Sequence, residues 1–220
     1  MNPDYGFLFF LVEMTGTVAF AISGAMLAIE RRLDLFGVVF LGVVTAIGGG
    51  VLRDLLLGQV PPLAFLNSVY FLVSALTALV VFAAALLLRW RRGTSLPSNS
   101  SLLNVFDAAG LGIFSVIGVQ NTVAAGFGDN LFLCLFLGMT TGVGGGALRD
   151  VLSGSTPAIL RKHVYALASL AGALCYYLLR TRFPAGSIAV STLLVILLRV
   201  LASRYRWTLP RIPPPESGDL

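Results

Sequence analysis

Hydrophobic residues run through this chain in long unbroken blocks, at about 6–29, 35–57, 64–88, 105–127, 131–153, 164–181 and 185–203. Most are close to the roughly 20 residues that an apolar helix needs to cross a bilayer. A membrane barrel would instead show strands of about 9–11 residues in which apolar and polar positions alternate. The pattern therefore predicts an all-α membrane protein with seven transmembrane helices and no separate soluble domain. The opening "MNPDYGF" lacks the basic stretch of a cleavable signal peptide, so the first block is expected to be retained as a span.

The polar segments organise these blocks. Ser, Gly and Pro concentrate in "RWRRGTSLPSNSSLLN", Arg89–Asn104, which divides the spans three and four. The expected layout is a first three-helix repeat over 1–88, a cytoplasmic linker over 89–104, a second repeat over 105–181, a seventh helix over 182–203 and a disordered cytoplasmic tail over 204–220. Arg31, Arg32, Arg89, Arg91, Arg92, Arg161, Lys162, Arg204, Arg206 and Arg211 all fall on one side of a seven-span chain, against Arg180 and Arg182 on the other. By the positive-inside rule the N-terminus is outside and the C-terminus cytoplasmic.

The strongest internal signal is a repetition. "TAIGGGVLRDLLLGQVP", Thr45–Pro61, returns as "TGVGGGALRDVLSGSTP", Thr141–Pro157, with ten of seventeen positions identical. The preceding helices correspond more weakly: Gly16, Phe20 and Gly24 match Gly110, Phe114 and Gly118, and Glu13 matches Asp107. An odd number of spans per copy makes the second copy enter the membrane from the opposite side, the inverted arrangement of many transporters.

Gly48, Gly49 and Gly50 fall near the middle of the second span, and Gly144, Gly145 and Gly146 hold the same depth in the fifth. Each glycine costs about 0.8–1.0 kcal/mol against alanine within a helix, so a triplet costs about 2–3 kcal/mol. Two explanations compete. Small residues let helices approach closely. Alternatively the helix breaks, and its freed carbonyls, with Thr45 and Thr141 nearby, offer oxygens to a cation. On the second explanation both helices kink at the triplets and line a path, and a leucine at Gly49 or Gly145 blocks flux more than it disturbs assembly.

Arg53, Asp54, Arg149 and Asp150 follow the triplets by three or four residues, and an ionisable group within the bilayer costs at least about 2.5–3.5 kcal/mol on insertion scales. Adjacent helical residues point about 100° apart, so each group is expected to find its partner on another span. Arg53 with Asp150 and Arg149 with Asp54, or pairing to Glu13 and Asp107, are the candidates, with Asp107 expected near the membrane interface. Structural ion pairs that lock the bundle would need the same residues. Together Glu13, Asp54, Asp107 and Asp150 outnumber Arg53 and Arg149 by four to two, a mildly cation-favouring balance.

The formal net charge of +5 comes from arginines gathered at the ends of apolar blocks, which suits lipid headgroups and not nucleic acid. Cys134 and Cys175 lie within spans without metal-ligand spacing. "GFGD", Gly126–Asp129, has the string of an intramembrane aspartyl protease but the composition of a turn. His163 is the single histidine, and no Lys-Ser/Thr follows the glycine triplets. No enzyme chemistry, cofactor or metal site is expected.

The doubled "GGGVLRD" and "GGGALRD", each in the second helix of a three-helix repeat with one further helix at the end, resembles the prokaryotic trimeric intracellular cation (TRIC) channels. That family overlaps a repeated domain also labelled a bacterial glycine transporter. The resemblance implies a homotrimer in a bacterial or archaeal plasma membrane, a pore within each protomer, and conduction of potassium or, less selectively, sodium. It also implies that the two glycine-bearing helices line the pore. Animal relatives bind inositol lipid through a lysine-glutamate motif where this chain reads Gly-Gly-Gly-Val-Leu-Arg-Asp. The rival function is secondary transport of a small amino acid such as glycine, since broken helices in inverted repeats also suit alternating access.

Overall fold

A computed structural model of the chain describes residues 3–92, 100–161, 164–205 and 207. Lys162, His163, the middle of the linker (93–99) and nearly all of the expected tail lie outside the described residues. The helices are α1 (Pro3–Glu30), α2 (Leu35–Leu56), α3 (Leu63–Leu66), α4 (Ser68–Arg92), α5 (Ser100–Thr122), α6 (Leu131–Leu152), α7 (Ala158–Arg161), α8 (Val164–Leu179) and α9 (Pro184–Arg204). No strand occurs among the described residues.

Six stretches are long and apolar enough to cross a membrane: Gly6–Glu30, Leu35–Leu56, Ser68–Trp90, Leu102–Phe127, Leu131–Leu152 and Gly186–Arg204. Val164–Leu179 is apolar but shorter. The third block of the sequence divides at Asn67 into the single-turn α3 and the long α4. After α5 the chain makes one π-helical turn, Val123–Phe127, and the "GFGD" string closes as the turn into α6, with Gly126 at φ 94°.

The two copies of the repeated segment begin and end alike. Asp34 caps α2 by accepting from Gly37 N at 2.7 Å, and Asn130 caps α6 by accepting from Leu133 N at 3.0 Å. These side chains satisfy N–H groups that a helix start leaves without partners. At the other end Gly58 (φ 71°) and Gly154 (φ 69°) take the left-handed conformation that glycine adopts without a Cβ penalty. The paired bonds of a Schellman cap then form: Gln59 N to Asp54 O and Gly58 N to Leu55 O, repeated as Ser155 N to Asp150 O and Gly154 N to Val151 O.

α1, α2, α5 and α6 pack in a ring, with α1 and α5 crossing on one side and α2 and α6 on the other. α4 covers α1 and α2, and α8 correspondingly covers α5 and α6. α9 lies against α5 and α8, so it thickens the second half only. At the α1–α5 crossing Phe20 and Phe114 meet with ring centroids 5.2 Å apart, and each ring rests on the other repeat's glycine, Phe20 on Gly110 and Phe114 on Gly16. The weak correspondence of Gly16 and Phe20 with Gly110 and Phe114 in the sequence is therefore one reciprocal contact.

Candidate functional site

Neither glycine triplet interrupts its helix. α2 is continuous from Leu35 to Leu56 and α6 from Leu131 to Leu152, so the expected break with freed carbonyls is not formed. The triplets instead lie where α2 and α6 cross. A Cβ on Gly49 would collide with the carbonyl oxygen of Thr141, and a Cβ on Gly145 with that of Thr45. The backbones touch, which only glycine permits.

The neighbouring glycines extend the same exchange. The Cδ1 of Leu148 fills the space where Gly48 lacks a side chain, 2.6 Å from an ideal Cβ position, and the Cδ1 of Leu52 fills that of Gly144 at 3.0 Å. The third glycine of each triplet faces charge: Gly50 has Arg53 Nη2 nearest, and Gly146 has the Tyr165 hydroxyl, Asp107 and Arg149. The residues shared by the two copies therefore fit one another. Thr and Leu of one copy enter the first two glycine gaps of the other, and the third gap clears room for Arg. The hydroxyls of Thr45 and Thr141 bond back to Leu41 O and Leu137 O, both at 2.6 Å.

Beyond the crossing lie two buried polar clusters. In the first, Arg53 turns back on its neighbour, with Nε and Nη2 both 2.8 Å from Asp54 Oδ1. The Asn121 amide oxygen, in the orientation that satisfies both groups, accepts from Arg53 Nη1 at 2.8 Å. The other Asp54 oxygen accepts Leu63 N at 2.9 Å, fastening the start of α3. Glu13 on α1 accepts the Tyr70 hydroxyl at 2.8 Å and, among the described residues, has no arginine within ion-pairing distance.

The second cluster repeats this plan with a different balance. Arg149 binds Asp150 Oδ1 through Nε at 3.0 Å and Nη2 at 2.9 Å, and Asp150 Oδ2 accepts Ala158 N at 2.7 Å, fastening α7. Arg149 Nη1 also reaches Asp107 at 2.8 Å and Ser23 at 2.5 Å. Tyr165 donates to Asp107 at 3.3 Å, as Tyr70 does to Glu13. Arg199 on α9 then approaches the second Asp107 oxygen at 3.4 Å and lies 4.4 Å above the Tyr165 ring.

One expectation is corrected here. The cross-repeat pairs Arg53–Asp150 and Arg149–Asp54 do not form. Each arginine pairs with the aspartate beside it, because the flexible Arg stem spans the angle between neighbouring helical positions and its planar fork grips one carboxylate oxygen. Pairing of Arg149 to Asp107, one of the expected alternatives, does form, and Asp107 is buried inside the bundle at 2% exposure.

The two halves also differ in access. A narrow, half-open recess, with room for about one water molecule, enters the first half. Glu13, Thr17, Ala46, Ile47, Gly50, Arg53, Asp54, Leu63, Ala64, Tyr70 and Phe114 line it. Glu13 and Gly50 are half-buried, whereas their counterparts Asp107 and Gly146 are fully buried. Cys134 and Cys175 are free thiols away from both clusters.

The model of a family described as "Glycine transporter" matches the chain twice, over residues 10–85 and 104–181. A solved TRIC cation channel is 34% identical, covering 94% of this chain and 98% of its own, with a TM-score of 0.78. This chain is a member of the TRIC family. A TRIC trimeric intracellular cation channel orthologue from Rhodobacter sphaeroides superposes with a TM-score of 0.82 at 29% identity, covering 91% of this chain and 99% of that one. A UPF0126 membrane protein from Deinococcus radiodurans is 40% identical over 205 residues, 92% of this chain and 89% of the relative. With its apolar helices, membership makes the chain a multi-pass integral membrane protein, and the solved TRIC proteins are channels and not enzymes.

Five residues of the clusters had no part in the sequence-based expectation: Ser23, Tyr70, Asn121, Tyr165 and Arg199. Tyr70 and Tyr165 were legible in principle, since each opens the third helix of its repeat at the matching position. Arg199 stands alone in the apolar run "LLVILLRVLAS", itself a mark of a buried partner.

Proposed function

We propose that this TRIC protein is a channel for monovalent cations, potassium foremost, with one path inside each protomer of a homotrimer. The observation that carries this reading is the first-half recess. It reaches the α2–α6 crossing at Gly50 and carries two acids, Glu13 and Asp54, against one base, Arg53. Such a lining favours cations over anions. The solved relatives' description as trimeric cation channels supports both the ion class and the assembly.

The site residues then take definite roles. Gly48, Gly49, Gly50 and Gly144, Gly145, Gly146 form a crossing without interlocked large side chains, where α2 and α6 can bend or slide apart. Separation would turn the carbonyls of Thr45 and Thr141 towards the path, each with a lone pair left over from its helical bond. Arg53, Asp54, Arg149 and Asp150 hold the ends of the moving helices to α3 and α7. Seven spans in two inverted three-helix repeats plus α9 put the N-terminus outside a prokaryotic plasma membrane and the basic loops against cytoplasmic lipid headgroups.

Amino-acid transport is the second reading, favoured by the description of the matching family. Proteoliposomes holding a potassium gradient, assayed in parallel for radiolabelled glycine, separate the two. Potassium flux that does not saturate, with no glycine uptake above protein-free vesicles, is the expected result. Saturable glycine uptake without independent ion flux would replace the channel by a transporter.

A further inference from the structure

Arg199 has no counterpart in the first half, because α9 lies outside both repeats. Its guanidinium stands beside Asp107, the residue that corresponds to Glu13, and over Tyr165, which corresponds to Tyr70. It is 4% exposed. Its Nε has no hydrogen-bond partner among the described residues, so the group is held chiefly by charge and by the Tyr165 ring. In the first cluster one acid is in excess, Glu13 and Asp54 against Arg53. In the second, Asp107 and Asp150 are balanced by Arg149 and Arg199.

We infer that Arg199 is a resident counter-ion: its guanidinium occupies, in the second half, the position beside the acid-tyrosine pair that no arginine among the described residues fills in the first, and thereby excludes permeant cations from Asp107. Two halves built from one motif become electrostatically unequal through a single residue of the added helix. Cation selectivity is then set on the first side, at Glu13, while the second side is neutral and sealed. This inference rests on the channel reading and assigns Arg199 a positioning and selectivity role within it.

The test compares wild type with Arg199→Gln, Arg199→Lys and Asp107→Asn/Arg199→Gln in planar bilayers under a KCl gradient, with melting in detergent as a check on folding. Wild-type current establishes the channel, and without it the channel reading fails independently of Arg199. Given that current, Arg199→Gln is expected to raise cation over anion permeability several-fold, Arg199→Lys to retain the wild-type reversal potential, and the charge-balanced double variant to return to it. An unchanged reversal potential in folded Arg199→Gln overturns the inference and leaves Arg199 a structural ion pair. Should Arg199→Gln not fold, thallium(I) located by anomalous scattering in wild-type crystals decides: no ion beside Asp107 is expected, and an ion there overturns the inference.

Discussion

Gly49 of α2 lies against the carbonyl oxygen of Thr141 on α6, so closely that even a methyl group has no room. The reverse contact, Gly145 on the Thr45 carbonyl, makes the crossing self-complementary. A motif that must fit a copy of itself constrains both copies to the same residues, and this accounts for the repetition of GGGxLRD without a break in either helix.

Alanine separates the positions of the triplet. Gly49→Ala drives a methyl into backbone, and overpacking of this kind costs about 1–3 kcal/mol. Gly50→Ala meets nothing nearer than Arg53 Nη2 at 3.7 Å and gains helix propensity. Melting in detergent is expected to drop by several degrees for Gly49→Ala and to hold or rise for Gly50→Ala. A leucine at Gly49 or Gly145 would press still harder on the Thr141 or Thr45 carbonyl, so flux in such a variant is to be read only alongside its assembly on size-exclusion chromatography.

The Leu148 side chain in the Gly48 gap gives a pairwise test. Gly48→Ala should force the tip of Leu148 out of the gap it fills, 2.6 Å from the ideal Cβ position, and Leu148→Ala should destabilise by leaving the gap empty. Combined, the two changes relieve each other. A double-mutant cycle on melting should show favourable coupling on the order of 1 kcal/mol, and strict additivity would show that the two residues do not interact.

Asp54 and Asp150 each serve an arginine and a backbone N–H at once. Asparagine has one acceptor oxygen, so it must fail one of them. Breaking a buried pair from one side costs about 3–5 kcal/mol. Asp54→Asn and Asp150→Asn should both sharply reduce the monodisperse fraction on size-exclusion chromatography. Wild-type behaviour in either would show that the fastening of α3 or α7 is dispensable.

Glu13 faces the recess, half-buried and without an arginine partner among the described residues. Glu13→Gln keeps an acceptor for the Tyr70 hydroxyl and removes one negative charge. Potassium flux should fall several-fold while melting stays close to wild type. Loss of stability with flux per folded protein unchanged would make Glu13 structural.

Much of this architecture was legible before any coordinates. The apolar blocks located the helices within a few residues, because only a continuous apolar surface can face lipid along a whole span. The doubled motif located the centre of the molecule. Its meaning was harder to read: three glycines weaken a helix and also let it touch another, and only the positions of Thr45 and Thr141 across the crossing decide between the two. Arg149–Asp107 was among the expected pairings, but the bonds of Arg53 to Asp54 and Arg149 to Asp150 were not, because side-chain reach was judged from helical angles alone, which neglects the length of the arginine stems. Arg199 was missed for a related reason. It belongs to the helix outside the repeat, where internal symmetry offers no partner to look for.

A cation path through the protomer stands or falls on the reversal potential of the purified protein in a planar bilayer separating unequal KCl concentrations. Current reversing close to the potassium equilibrium potential, and reduced several-fold in Glu13→Gln, is the expected result. Absence of current, or reversal near the chloride potential, would contradict a cation path entered from the first half.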